Sequence, residues 1–368
     1  MDWEGFVLKI SLVIAAFEEG PDLEATVALA VASQPEPHEI IVVDDQSTQP
    51  VEPRLAAFPS VKVYRTPERL GAGPAKSYGG NKAEGDLIVL MDSHLRFSQD
   101  WLRFVSDAFS RYPDAIMCPV STGFEQDFTF AGAGARFNRR EKAGMGLSWL
   151  GVREKELIDL VPAVLGGCYF IPRKIWKSLG GLNPNLRGWG FEEPDLSLRA
   201  WASGFECRCI NGLRVAHNYN RTPLTTSPRL DQWQPAYNAL VVALTVFDDA
   251  TFNQRILPYA RFTCGSHFDD AIHHIQLNRQ DIEDFRDEWQ TRKVFQDFEI
   301  EGLTGFQIPT MSSVHAAKDE DIKIQSDHAK AKADRIEFLG EHDRRIHERI
   351  ERNCGCGDDV DVSNLPEV

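Results

Sequence analysis

The run Leu87-Ile88-Val89-Leu90-Met91, closed by Asp92-Ser93-His94, constrains this chain more than any other segment. An uninterrupted apolar stretch of that length predicts a strand buried on both faces, the situation of a parallel sheet covered by helices on either side. Parallel strands present ligand groups from their carboxyl ends. At this end Asp92 and His94 are two residues apart, so they project to the same side of an extended segment. A carboxylate and an imidazole so placed can grip one divalent cation, and that cation would neutralise a phosphate-rich ligand. The tripeptide therefore points towards nucleotide or nucleotide-sugar chemistry, although a solvated strand end carrying an Asp and a His would look the same.

The flanking sequence repeats the pattern. Leu8–Ala15, Glu39–Val43, Val61–Tyr64 and Ala115–Val120 read as further strands. Helical spacing lies between them at Leu23–Ser33, Gly73–Glu84 and Trp101–Tyr112. Strands alternating with helices predict an α/β fold with a mainly parallel, doubly wound sheet. Beyond it, a strand near Phe128–Phe137 and then a mobile glycine-rich loop are expected. Helices follow at Arg173–Leu179, Phe191–Ser203 and Pro235–Phe247. Three regions result: 1–225 around the sheet, 226–310 as a helical acceptor-side region, and 311–368 as an acidic tail. The tail is expected to be partly disordered or one long helix over 322–350.

A net charge of −15 disfavours a wide surface that tracks nucleic-acid phosphates. No stretch reaches the length of a membrane span. Seven scattered cysteines fit a reducing compartment better than a disulfide framework, so a cytoplasmic location is expected.

Other strand ends and loops carry candidate chemistry. Asp44-Asp45 closes the second strand, where a carboxylate can accept from a ribose hydroxyl or a base N–H. Ala15-Ala16-Phe17-Glu18-Glu19 fills the turn where a dinucleotide-binding domain would place Gly-x-Gly-x-x-Gly, so phosphate capture must come from a metal or from basic residues. Arg69 and Lys76 flank a glycine-bearing loop and could reach phosphates. In Gly188-Trp189-Gly190-Phe191-Glu192-Glu193-Pro194-Asp195, the Trp can stack on a sugar face, and the carboxylates can bind hydroxyls or act as a general base. His217 is a distant imidazole that could complete the Asp92/His94 set.

In order, the chain has Val-Asp-Asp-x-Ser at 43–47, Arg-Leu-Gly at 69–71, Asp-Ser-His at 92–94, Gly-Gly at 166–167, Trp-Gly-x-Glu at 189–192 and Val-x-His at 215–217. This resembles the GT-A glycosyltransferases of the broad family-2 group, and most closely the catalytic domain of polypeptide N-acetylgalactosaminyltransferases. The resemblance covers roughly residues 8–222. It implies a GT-A (Rossmann-like) sheet with a helical C-terminal extension, a UDP-sugar donor, and Mn2+, with Mg2+ as the alternative, held by Asp92, His94 and His217. It places Arg69 on the diphosphate side and Asp45 or Asp44 on the uracil and ribose side. Gly167, Glu192 and Trp189 would lie against the sugar, and Ala16, Glu18, Lys76 and Ser93 would line the donor site. Phe191 stands where the family has a second glycine. Glu193 stands where retaining members have Asn and where inverting relatives carry a carboxylate base.

The expectation is thus a metal-dependent hexosyl- or N-acetylhexosaminyltransferase moving sugar from a UDP-sugar to a hydroxyl acceptor. Glu193, Glu192 and Asp195 are the catalytic candidates. The acceptor stays open between a glycan, a protein and a modified DNA base. A nucleotidyltransferase of related fold, or a non-catalytic sugar- or protein-binding module, are the alternatives.

Overall fold

The computed structural model describes residues 8–124, 131–152, 156–219 and 231–310, with isolated positions between 312 and 323. Eleven strands form one sheet among these residues. They are β1 (Ile10–Ala16), β2 (Glu39–Asp44), β3 (Val61–Arg65), β4 (Leu87–Asp92), β5 (Leu95–Arg96), β6 (Ala115–Gly123), β7 (Ala131–Asn138), β8 (Gly146–Gly151), β9 (Ile158–Leu160), β10 (Cys168–Pro172) and β11 (Glu206–His217). The central order is β3-β2-β1-β4-β10-β6-β11-β5. Strands β3, β2, β1 and β4 are mutually parallel, as the sequence pattern predicts.

Strand β10 is the departure, because it runs antiparallel to both β4 and β6. Two reversals restore direction, so β6 and its parallel neighbour β11 point the same way as β4. The carboxyl ends of β1, β2, β4 and β11 therefore meet on one edge, joined there by the amino end of β10. Where a mobile loop is expected after β7, the chain instead returns as β8, and the two pair as an antiparallel hairpin.

Alternate residues of β1 feed two cores, as a period of two requires. Leu12 and Ile14 face one cluster with Trp101, Leu102 and Val105 of α3 (Trp101–Arg111) and Leu23 and Val27 of α1 (Asp22–Val31). Val13 faces the other, with Ala75 of α2 (Ala72–Gly80) and Ile175 and Trp176 of α4 (Arg173–Leu179). All five apolar residues of β4 are buried, each stabilising the fold by about 1.5–3 kcal/mol. A third core gathers α5 (Glu192–Ala202), α6 (Gln234–Val246) and the helices at Leu257–Thr263, Phe268–Leu277, Arg279–Gln290 and Asp297–Thr304.

Residues 1–314 form one compact unit, so region 226–310 belongs to the same unit as the sheet. His315–Val368 is a second unit, and the helix expected over 322–350 lies outside the described residues. No helix among the described residues is long and apolar enough to cross a membrane.

Candidate functional site

The strand ends open into a cleft of about 620 Å3, lined by Ala16, Asp45, Arg69, Lys76, Asp92, Ser93, His94, Gly167, Trp189, Glu192, Glu193 and His217 among others. At its floor, Asp92, His94 and His217 each offer a ligand atom, and these atoms lie within 4.8 Å of one another. Pairing brings them together: Ala15 lies beside Asp92 across β1 and β4, and Leu95 beside His217 across β5 and β11. His217 Nε2 is 3.1 Å from Asp92 Oδ2. Two atoms each about 2.1 Å from one octahedral cation sit about 3 Å apart, so this spacing suits a shared ion. One carboxylate with two imidazoles is a mixed set suited to borderline transition metals.

Gly167 makes the approach possible. Its backbone is left-handed (φ 71°), and a Cβ there would stand 2.5 Å from Asp92 Oδ2 and 2.9 Å from the His217 ring. Its carbonyl accepts from Asp92 N at 2.8 Å, locking the β10 entry onto the end of β4. These residues fit a bound divalent cation.

Glu19, which the sequence reading passed over in favour of Glu18, supports the ligands. Its Oε2 accepts from Ser93 Oγ at 2.7 Å and lies 3.2 Å from His94 Nδ1. An imidazole that gives its Nδ1 proton to this carboxylate keeps its Nε2 lone pair for a metal. Thr26 Oγ1 of α1 donates to Ser93 O at 2.9 Å and accepts from Leu95 N at 3.0 Å, fixing the backbone on either side of His94.

Lys76 Nζ lies 2.6 Å from Asp92 Oδ1, so the lysine expected at phosphates is paired with the carboxylate at the floor. Burial works against its charge, but Asp92, Glu192 and Glu193 outweigh that and hold the ammonium charged. Burial likewise opposes ionisation of Asp92, yet Lys76 and the two histidines keep its carboxyl well below the usual range. Glu192 differs: burial first, and then the neighbouring Glu193 carboxylate, push it up to about 7 despite Lys76.

Arg69 sits at the rim with its guanidinium 3.3 Å from the centre of the Phe17 ring. Asp45 lines the cleft through the Arg69 loop, accepting from Leu70 N and Gly71 N at 2.8 and 2.9 Å. Trp189 is 65 % exposed at the rim, next to Gly188, whose carbonyl accepts from Ala72 N at 2.9 Å just beyond the Arg69 loop. Its loop hangs from Asn238 of α6, which accepts from Arg187 N at 2.8 Å and donates to Gly190 O at 3.0 Å.

Three residues expected in the site are elsewhere. Asp44 faces away from the cleft and anchors the loop after β2, accepting from Ser47 N at 2.8 Å and from Arg65 Nη1 at 2.5 Å. Glu18 accepts from Thr48 N and Oγ1, both at 2.6 Å, and serves the same loop. Asp195 is fully buried on the inner face of α5, where Arg199 Nε donates to it at 2.9 Å. In each pair, Asp44/Asp45 and Glu18/Glu19, only the second carboxylate lines the cleft.

Besides Glu19, sequence reasoning missed Trp149 of β8, Tyr169 of β10 and Tyr219 after β11. Trp149 and Tyr219 line the cleft, and Tyr169 Oη donates to Glu193 Oε1 at 2.5 Å. A signal existed for Trp149: Gly132 leaves room for its ring, which a Cβ there would meet at 2.1 Å.

Residues 11–170 match the family description "Glycosyl transferase family 2", and residues 154–223 match "N-terminal domain of galactosyltransferase". The chain carries a family 2 glycosyltransferase domain. Polypeptide N-acetylgalactosaminyltransferase 10 of Rattus norvegicus is 29% identical over 204 residues, 50% of this chain and 32% of that protein. Polypeptide N-acetylgalactosaminyltransferase 5 of Mus musculus is 27% identical over 240 residues, 60% of this chain and 26% of that protein. The chain thus spans about a third or less of the curated relatives it matches. Among solved structures, GalNAc-T7 with UDP, GalNAc and Mn2+ superposes with a TM-score of 0.61 at 20% identity, over 81% of this chain and 56% of that one. S. aureus TarS 1-349 gives 0.51 at 12% identity, over 86% and 88%. Both likenesses concern the fold, and this family 2 domain has the GT-A arrangement that its motifs imply.

Proposed function

We propose that the cleft is the donor site of a metal-dependent glycosyltransferase that takes a UDP-sugar and delivers the sugar to a hydroxyl acceptor. The convergence of Asp92, His94 and His217 at the floor of a cleft rimmed by Arg69, Trp189 and paired glutamates carries this reading. A bound Mn2+, or Mg2+ in its place, would supply positive charge for the diphosphate as UDP departs. Arg69 adds charge from the rim. Asp45 holds the backbone of the Arg69 loop against the nucleoside side. Trp189 offers a flat exposed face to the sugar or acceptor. Glu192, about half protonated near pH 7, can in its neutral form donate to a donor-sugar oxygen.

Glu193 is the base that takes the acceptor proton in a direct, inverting displacement. The relatives' names put an N-acetylhexosamine first among donors to test. Region 226–310 builds the acceptor side, since α6 holds the Trp189 loop. The acceptor is a glycan, a protein or a modified base in DNA. The free, buried cysteines 118, 168, 207, 209 and 264 support a reducing compartment such as the cytoplasm.

Thermal shift tests the reading. With Mn2+, UDP should stabilise the protein more than GDP or CMP, and EDTA should abolish the effect. His217→Ala should lose it while keeping the melting temperature of the metal-free protein. A larger response to GDP, or full response in EDTA, contradicts the proposal.

A further inference from the structure

Tyr169 lies in the middle of the sheet, 1% exposed, with its ring in the core that backs α2 and α5. A phenylalanine would fill that space equally well, so the hydroxyl calls for a separate reason. Its one proton goes to Glu193 Oε1 at 2.5 Å, and its oxygen accepts from Gly167 N at 3.3 Å. Burial and then the Glu193 carboxylate push the phenol well up, so it remains a donor. Gly167 in turn accepts from Asp92 N. A hydrogen-bonded line therefore runs from the floor of the cleft, Asp92 to Gly167 to Tyr169, and ends on one oxygen of Glu193. Among the described residues no hydrogen bond is made to the other oxygen, Oε2, and Glu193 lines the cleft.

We infer that Tyr169 is a positioning residue that commits Oε1 of Glu193 and thereby presents Oε2 to the acceptor hydroxyl. This rests on the reading of Glu193 as base. In the step it serves, the acceptor proton passes to Glu193 Oε2 and the acceptor oxygen bonds the anomeric carbon. The bond from that carbon to the diphosphate breaks, and UDP leaves with the electron pair. Without the phenol the carboxylate is free to rotate, and the fraction of encounters with Oε2 in line falls. The cost should appear in turnover, since Tyr169 is buried beneath the cleft and acts through Glu193, which is read as serving the acceptor.

The test is a double-mutant cycle on UDP release with Mn2+ and water as acceptor, using UDP-N-acetylgalactosamine, UDP-N-acetylglucosamine, UDP-galactose and UDP-glucose as probes. Tyr169→Phe should lower kcat about tenfold with little change in donor KM or melting temperature. Glu193→Gln should lower it about a hundredfold, and the double variant should match Glu193→Gln alone. Glu193→Asp, which draws the carboxylate back from the phenol, perturbs the same contact from the other side and should also lose turnover while keeping UDP binding. Full kcat in Tyr169→Phe, a double variant whose loss is the product of the single losses, or full kcat in Glu193→Asp overturns the positioning role. Wild-type kcat in Glu193→Gln overturns the base assignment instead. Wild-type protein that releases UDP from none of the four donors overturns the donor-site reading and this inference with it.

Discussion

Replacing Glu192 by Gln in the metal-free protein should stabilise it in a pH-dependent way. Burial, and behind it the Glu193 carboxylate, raise the Glu192 pKa from 4.5 to about 7 in the folded state. At about 1.4 kcal/mol for each pH unit, that difference is worth about 3 kcal/mol. The folded protein binds this proton more tightly than the unfolded chain does. The group's contribution to stability is therefore complete below about pH 4.5 and is lost as the pH rises through about 7. Glutamine has nearly the same shape and no charge to bury, so it escapes this loss. Urea unfolding of both proteins in EDTA, compared at about pH 4.5 and about pH 8, should show the variant's advantage growing by about 3 kcal/mol. A gap that stays constant with pH, or that closes as the pH rises, would refute the reasoning. It would mean that Glu192 is as well solvated in the folded protein as in the unfolded chain.

Gly167→Ala should abolish the stabilisation by Mn2+, because a methyl group would stand 2.5 Å from Asp92 Oδ2; a normal Mn2+ response would show that the close approach is dispensable. Glu19→Gln should weaken Mn2+ binding about ten- to a hundredfold by loosening His94 and Ser93, measured by titration calorimetry, and unchanged affinity would remove Glu19 from the support of the site. Asp195→Asn leaves the buried Arg199 guanidinium without its charge partner and should cost about 3–5 kcal/mol of stability whether or not Mn2+ and UDP are present. If unfolding in urea is unaffected while turnover disappears, Asp195 belongs to the chemistry after all.

The α/β architecture was legible because its signals are local. The β4 run and the Asp-Ser-His that closes it are read from adjacent residues, and so are the helices at α3 and α4. Strand β11, which carries His217, was hidden. Its buried Cys207 and Cys209 keep one alternation, but pairing jumps from Ile210–Pro119 to Arg214–Val120, and the intervening residues break the period. The reversed direction of β10 was equally invisible, since an apolar strand reads alike both ways. That reversal brings Gly167 to the ligand edge and aims Tyr169 at Glu193.

By itself the sequence determined that Asp92 and His94 close a buried strand, and the Val-x-His resemblance added His217, which the fold brings within 4.8 Å of them. Which of two neighbouring carboxylates faces the cleft, Asp45 and not Asp44, Glu19 and not Glu18, only the tertiary structure decided. Asp44 and Asp45 leave an extended chain in opposite directions, and the pairing of β2 with strands distant in sequence chooses the side. Glu18 and Glu19 are parted by the left-handed turn at Glu18 (φ 47°) beyond the end of β1. For Asp195 the choice fell to helix packing, which turned its carboxylate inward to Arg199 while Glu192 and Glu193, three and two residues earlier, stayed at the cleft.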